Sequence, residues 1–157
     1  MSRQTIAKDG VFVTDKRTFN FVPGAGVAIT LTDDGDSANI QYDIGAGLTI
    51  TRGGTLYSSS GITGAVNLIA WRAPYACTLT KLYGYRVSGT AATVNARRGG
   101  ASNHLATALD VTSTDTWMDG GTVQNTAYVA GDIMELMLVS VAGLPTSIAW
   151  QLEFERD

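Results

Sequence analysis

Apolar residues in this chain recur at every second position, the spacing that puts one face of an extended strand against a core. The three- and four-residue spacing of a buried helix face is nearly absent, and Gly or Thr interrupts almost every candidate. Val27, Ile29 and Leu31 alternate with Ala28, Thr30 and Thr32; Asp33 to Asp36 supply turn chemistry, and Ile40, Tyr42 and Ile44 alternate again. That order of signals reads as a β-hairpin. Leu48 and Ile50 continue the pattern after the Gly45-Ala46-Gly47 break, so about the first fifty residues form a Gly-punctuated β region.

From Arg52 to Gly64 the chain is small and polar, RGGTLYSSSGITG, and a domain boundary is expected there: residues 1–52 as an N-terminal β arm, residues 53–157 as a β domain. Beyond it the strands lengthen. Ala65 to Trp71 reads as a strand stopped by Pro74, and Thr78 to Ser88 as a second, with Leu79, Tyr83, Tyr85 and Val87 on one face. Ala91 to Ala96 forms another, and Leu105 to Val111 and Trp117 give weaker signals. Ile133 to Val141 is apolar on both faces, as a strand covered on both sides is. In Ser147 to Glu155, Ile148, Trp150, Leu152 and Phe154 alternate with Gln151, Glu153 and Glu155, as in a half-buried strand. Seven or eight strands with turn signals between them and no helix predict an all-β fold, an N-terminal β-hairpin arm followed by a jelly-roll-like antiparallel β-sandwich. The arm is too small to be stable alone, and its apolar start, Val11-Phe12-Val13, needs a partner strand, read here as another chain.

Charge narrows the function. Only 16% of residues are charged, against about 25% in average globular chains, and 18 Gly and 20 Thr stand among what replaces them. Such a surface repels its own copies poorly, which suits a subunit of an assembly. Net charge is -3 and no basic block is longer than a pair such as Arg97-Arg98, so neither nucleic acid nor an anionic membrane is an expected partner. A single cysteine, Cys77, excludes an intrachain disulfide, and a single histidine, His104, excludes multi-His metal sets; no metal and no cofactor are expected. The start MSRQTIAKDG lacks an apolar leader and no stretch has the length of a membrane span, so a soluble, unexported product is expected.

The candidate chemical constellations have plainer readings. Cys77 and His104 read as a small buried cysteine and a solvated loop histidine. Ser58-Ser59-Ser60-Gly61 lacks the nucleophile elbow. Asp33, Asp34 and Asp36 read as turn residues, since Ile44 stands where a calcium loop needs Glu. Pro23 to Thr30, PGAGVAIT, has dinucleotide-like glycines but runs into a strand instead of a helix. Glu153 and Glu155 share a strand face, where a glycan hydrolase would hold its carboxylates, although a solvent or subunit face is the simpler account. No enzyme activity is expected. Among Trp71, Trp117, Trp150, Tyr83 and Tyr85, Trp150 is in register with the core, while Trp117 sits in a loop where it would reach a sugar.

Phe19 to Ile44, FNFVPGAGVAITLTDDGDSANIQYDI, resembles the short Gly-containing hairpin of structural proteins of tailed bacteriophages. WRAPYACTLTKLYGYRVSGT from Trp71 and NTAYVAGDIMELMLVSVAGLPTSIAWQLEFE from Asn125 are similar in style to small jelly-roll domains of phage virions. The resemblance spans nearly the whole chain and implies a virion location, assembly in the host cytoplasm, and homotrimers. It implies no catalytic residue. A weakly charged β protein with an arm that needs a partner is compatible with an interlocking shell subunit. The leading expectation is therefore a non-enzymatic capsid decoration or cement subunit, binding the major capsid protein or another virion subunit. Val11, Phe12, Val13, Phe19, Phe21, Val27, Ile29 and Leu31 are its expected attachment residues. The alternative is a tail-fibre or receptor-binding subunit that holds host glycan through outer loops around Trp117 and His104. Lys and Arg are absent from Val22 to Thr51 and charge is sparse in the long C-terminal strands, so both regions are expected against other chains.

Overall fold

The computed structural model describes residues 48–157 and, before them, the backbone of five strands: Thr5–Lys8 (β1), Val11–Phe12 (β2), Thr18–Phe19 (β3), Val27–Asp33 (β4) and Ala38–Ile44 (β5). Every regular element among the described residues is a strand. The chain divides into two compact units, Met1–Leu48 and Thr49–Asp157. In the first, β1 pairs antiparallel with β2 and parallel with β3, while β4 and β5 pair antiparallel from Val27–Ile44 to Asp33–Ala38.

The second unit holds Thr49–Tyr57 (β6), Val66–Arg72 (β7), Cys77–Val87 (β8), Ala91–Arg98 (β9), Ser102–Asn103 (β10), Leu109–Val111 (β11), Met118–Asp119 (β12), Ala127–Tyr128 (β13), Ile133–Ala142 (β14) and Ser147–Arg156 (β15). They form two five-stranded antiparallel sheets. One runs β6-β15-β8, with β12 and β13 sharing the far edge of β8; the other runs β7-β14-β9, with β10 and β11 sharing the far edge of β9. Pairing is nested: the first strand of the unit pairs with the last, the second with the next to last, the third with β12 and β13, and the fourth with β10 and β11. The unit is thus one long antiparallel ribbon wound so that β6, β7, β8 and β9 fall alternately in the two sheets, its core packed between them as in a β-sandwich.

Alternation predicts the inner faces well where no bulge intervenes. On β15, Ile148, Trp150, Leu152 and Phe154 are buried, and from the opposite sheet Met134, Leu136 and Leu138 of β14 meet them with Val94 and Ala96 of β9. Burying each large aliphatic or aromatic side chain contributes roughly 1.5–3 kcal/mol. Gly84 of β8 is small for a reason: a Cβ there would lie 2.7 Å from Val111 and 2.9 Å from Val94, so the sheets would be forced apart.

Three differences from the sequence reading have identifiable causes. The small polar stretch from Arg52 is largely strand β6, paired with β15 from Thr49–Glu155 to Tyr57–Ser147. Its glycines look like breakers, yet a Cβ on Gly53 would sit 2.1 Å from the Trp150 carbonyl oxygen, so the close strand itself excludes a side chain. Ile50 accordingly belongs to the core of the second unit. On β8 the expected face of Leu79, Tyr83, Tyr85 and Val87 is split by a bulge. Glu153 stands opposite Lys81 while Phe154 stands opposite Leu79, and the hydroxyl of the extra residue, Thr80, donates to the Glu153 carbonyl at 3.1 Å. The extra residue reverses the alternation, so Leu82, Gly84 and Arg86 point inward and the two tyrosines outward. Strand β14 does lie centrally in its sheet, but the second unit covers only one of its faces: Ile133 and Val139 on the other are 38% and 45% exposed.

Candidate functional site

The two ends of the sandwich are closed by different chemistry. At the end where β8 begins, Tyr128, Phe154 and Trp71 pack together with ring centroids 5.0–6.0 Å apart, and His104 lies against Tyr128. The expected solvated loop histidine is instead fully buried. Its Nδ1 faces the Gln124 carbonyl at 3.3 Å and its Nε2 the Tyr128 hydroxyl at 2.6 Å. A carbonyl can only accept, so Nδ1 carries the proton of the neutral ring and Nε2 accepts from Tyr128. Burial, reinforced by the Arg98 guanidinium, pushes the His104 pKa below its ordinary value, against a smaller opposing effect of the Gln124 carbonyl. Burial likewise holds the Tyr128 hydroxyl protonated far above the usual tyrosine range.

Cys77 is the cross-strand neighbour of Tyr128 and is fully buried. Burial, then the Asp157 carboxylate, pushes its thiol up, away from a reactive thiolate. With both nitrogens of His104 engaged, the histidine has no free lone pair to activate that thiol. The arrangement is a neutral hydrogen-bonded plug, and His104 is out of reach of any ligand on an outer loop.

At the opposite end Arg86 is 2% exposed and lies among backbone carbonyls. Its Nε donates to Val111 at 3.0 Å, Nη2 to Thr112 at 2.7 Å, and Nη1 to Gly89 at 2.8 Å and to Ser88. One planar guanidinium thus ties the turn after β8 to the end of β11. The bulge at Thr80 is what sets Arg86 on the inner side of β8.

The outer faces also differ. On the β7-β14-β9 sheet, Ile69 is 76% exposed and stands in register with Glu135, which Arg97 contacts at 2.7 Å and 2.9 Å through two nitrogens on one carboxylate oxygen. Next along β14 come Met137 and the exposed, bulged Val139. On the β6-β15-β8 sheet, Trp117 packs on Tyr85, with centroids 5.2 Å apart, and lines a shallow depression with Gly53, Thr55, Ala149 and Gln151. Glu153 and Glu155 stand on this same outer face of β15, opposite Lys81 and Thr78.

No protein-family model matches the chain, and no curated protein matches it. Among solved structures, a chain of the cyanophage Pam1 capsid asymmetric unit superposes with a TM-score of 0.49 at 12% identity, over 87% of this chain and 98% of that chain. A likeness of that degree carries no weight for function, which rests on this chain's own residues.

Of the expected attachment residues, Val13 and Phe21 lie outside the described residues. For Val11, Phe12, Phe19, Val27, Ile29 and Leu31 only strand backbone is described. The expected pair of Trp117 and His104 is not a pair: one is on an outer face and the other in the core. Among the described residues there is no group of three or more His, Cys, Asp or Glu able to hold a metal ion. An exposed apolar residue that the sequence reading does not single out is Ile69, on a strand, Val66–Arg72, that carries no Lys or Pro.

Proposed function

We propose that this chain is a non-enzymatic virion structural protein of a tailed bacteriophage, a capsid decoration or cement subunit that acts as a homotrimer. The nested pairing of the second unit supports a jelly-roll winding, and the resemblance of its strand segments to small jelly-roll domains of phage virions supports the same reading. The observation that carries the proposal is the outward apolar row at Ile69, Met137 and Val139 on a sheet in which β7 is, among the described residues, an edge strand. An isolated monomer gains nothing from an isoleucine three-quarters exposed on an unguarded edge strand, whereas a subunit buries it against a second copy. The N-terminal unit, Met1–Leu48, would then carry attachment to the shell. Because the protein recognises only the assembled surface, binding stabilises the head by mass action.

The test removes residues 1–48, which form a compact unit separate from the sandwich. The remaining protein is expected to stay soluble and trimeric but no longer to co-sediment with purified capsids of the source particle. Retained capsid binding assigns attachment to the sandwich and defeats this division of labour.

A further inference from the structure

The depression beside Trp117 is built from residues of complementary kinds. Its floor is small: Gly53, where the Trp150 carbonyl excludes a side chain, and Ala149. Its wall is the Trp117 indole, 46% exposed and braced by Tyr85, whose hydroxyl in turn donates to the Asp115 carboxylate at 3.3 Å. Gln151, Thr51 and Thr55 offer an amide and two hydroxyls along it. Arg52 also lines it, but its guanidinium donates to the Thr51 carbonyl at 2.8 Å and lies over Trp71, 5.5 Å from the ring centroid. The cation is therefore not offered to a ligand. The volume, about 280 Å³, lies just below the roughly 300–1,000 Å³ of pockets for drug-sized ligands and suits one ring.

We propose that this depression is a saccharide subsite, taking one pyranose ring of a neutral glycan. The C–H face of the ring lies on the electron-rich indole face of Trp117, and its hydroxyls exchange hydrogen bonds with Gln151, Thr51 and Thr55. A rigid aromatic wall with an uncharged polar floor recognises a ring that is apolar on its faces and hydroxylated at its edge. A nucleotide or an acidic sugar would need a cation that this site keeps turned away. The subsite stands apart from the virion assignment, since a neutral sugar is recognised by the same geometry wherever the protein resides.

The experiment titrates the full chain with cellotriose, maltotriose, triacetylchitotriose and lactose, read by saturation-transfer NMR on the sugar. At least one is expected to bind saturably with Kd on the order of 0.1–10 mM. Trp117→Ala, which removes the wall, and Ala149→Arg, which fills the floor from the outer face, are each expected to weaken that binding at least about tenfold at unchanged melting temperature and unchanged mass by light scattering. No saturable binding of any of the four sugars overturns the proposal. So does binding that survives in both variants. Loss of assembly in either variant also overturns it, because it shows that another copy covers this face.

Discussion

The outer faces of the two sheets are made by the same two-residue alternation, yet they present opposite chemistry. The β7-β14-β9 face turns Ile69, Met137 and Val139 outward around one ion pair, while the β6-β15-β8 face turns out an aromatic pair, an amide, hydroxyls and charged residues. Both follow from local irregularities. A bulge at Thr80 moved Tyr83 and Tyr85 outward, and register shifts in the pairing of β14 with its two neighbours accompany the exposed Ile69 and Val139. A face with large apolar groups suits a permanent contact with another chain, whereas a face with an aromatic wall and polar groups suits reversible binding of a small ligand. The sandwich holds the two apart, so each can be altered without the other.

That separation holds only if the sheets are pinned at their ends, and the largest effect is expected there. Arg86→Met leaves four carbonyl oxygens without their donor and is expected to lower stability by about 3–5 kcal/mol in urea unfolding, blurring both faces at once. Next in size, Ile69→Glu puts a charge into the proposed subunit contact. It is expected to weaken self-association by roughly 2–4 kcal/mol in a light-scattering dilution series, whereas Thr55→Glu on the other face leaves association unchanged. If both glutamates act alike, the faces are not distinct.

A smaller, pH-dependent effect comes from His104. Its folded pKa lies below the unfolded value of about 6.5, so the unfolded chain takes up a proton first as pH falls. Stability is therefore full above that value and declines below it, toward the depressed folded pKa, at no more than about 1.4 kcal/mol per pH unit. Urea midpoints measured between pH 7 and pH 4 check this, and His104→Gln is expected to remove this part of the decline. Least of all, Glu135→Gln at the half-buried ion pair beside Ile69 is expected to cost about 1 kcal/mol or less, read as a small shift in thermal midpoint.

The legible part of the fold was the part that depends on neighbouring residues. The alternation in Ser147 to Glu155 identified both the strand and its buried side, because β15 is central and its period is unbroken as far as Phe154. On β8 the same pattern misled, since a bulge is made by the partner strand's register and Thr80 carries no local mark of it. His104 looked like a loop residue because the groups that bury it, Gln124 and Tyr128, are twenty or more positions away. The Gly53-Gly54 pair looked like a break because the reasons for it, the Trp150 carbonyl beside Gly53 and the Leu136 side chain beside Gly54, lie on other strands. Trp117 was picked out as the exposed aromatic, but the floor that makes it a wall comes from β6 and β15, whose adjacency is set by strand order.

The central claim is that the apolar β7-β14-β9 face is covered by further copies of the chain. Light scattering of the full-length protein across a dilution series tests it most directly. The account predicts a plateau at three times the 16.5 kDa chain mass. A constant mass of 16.5 kDa at every concentration would contradict it.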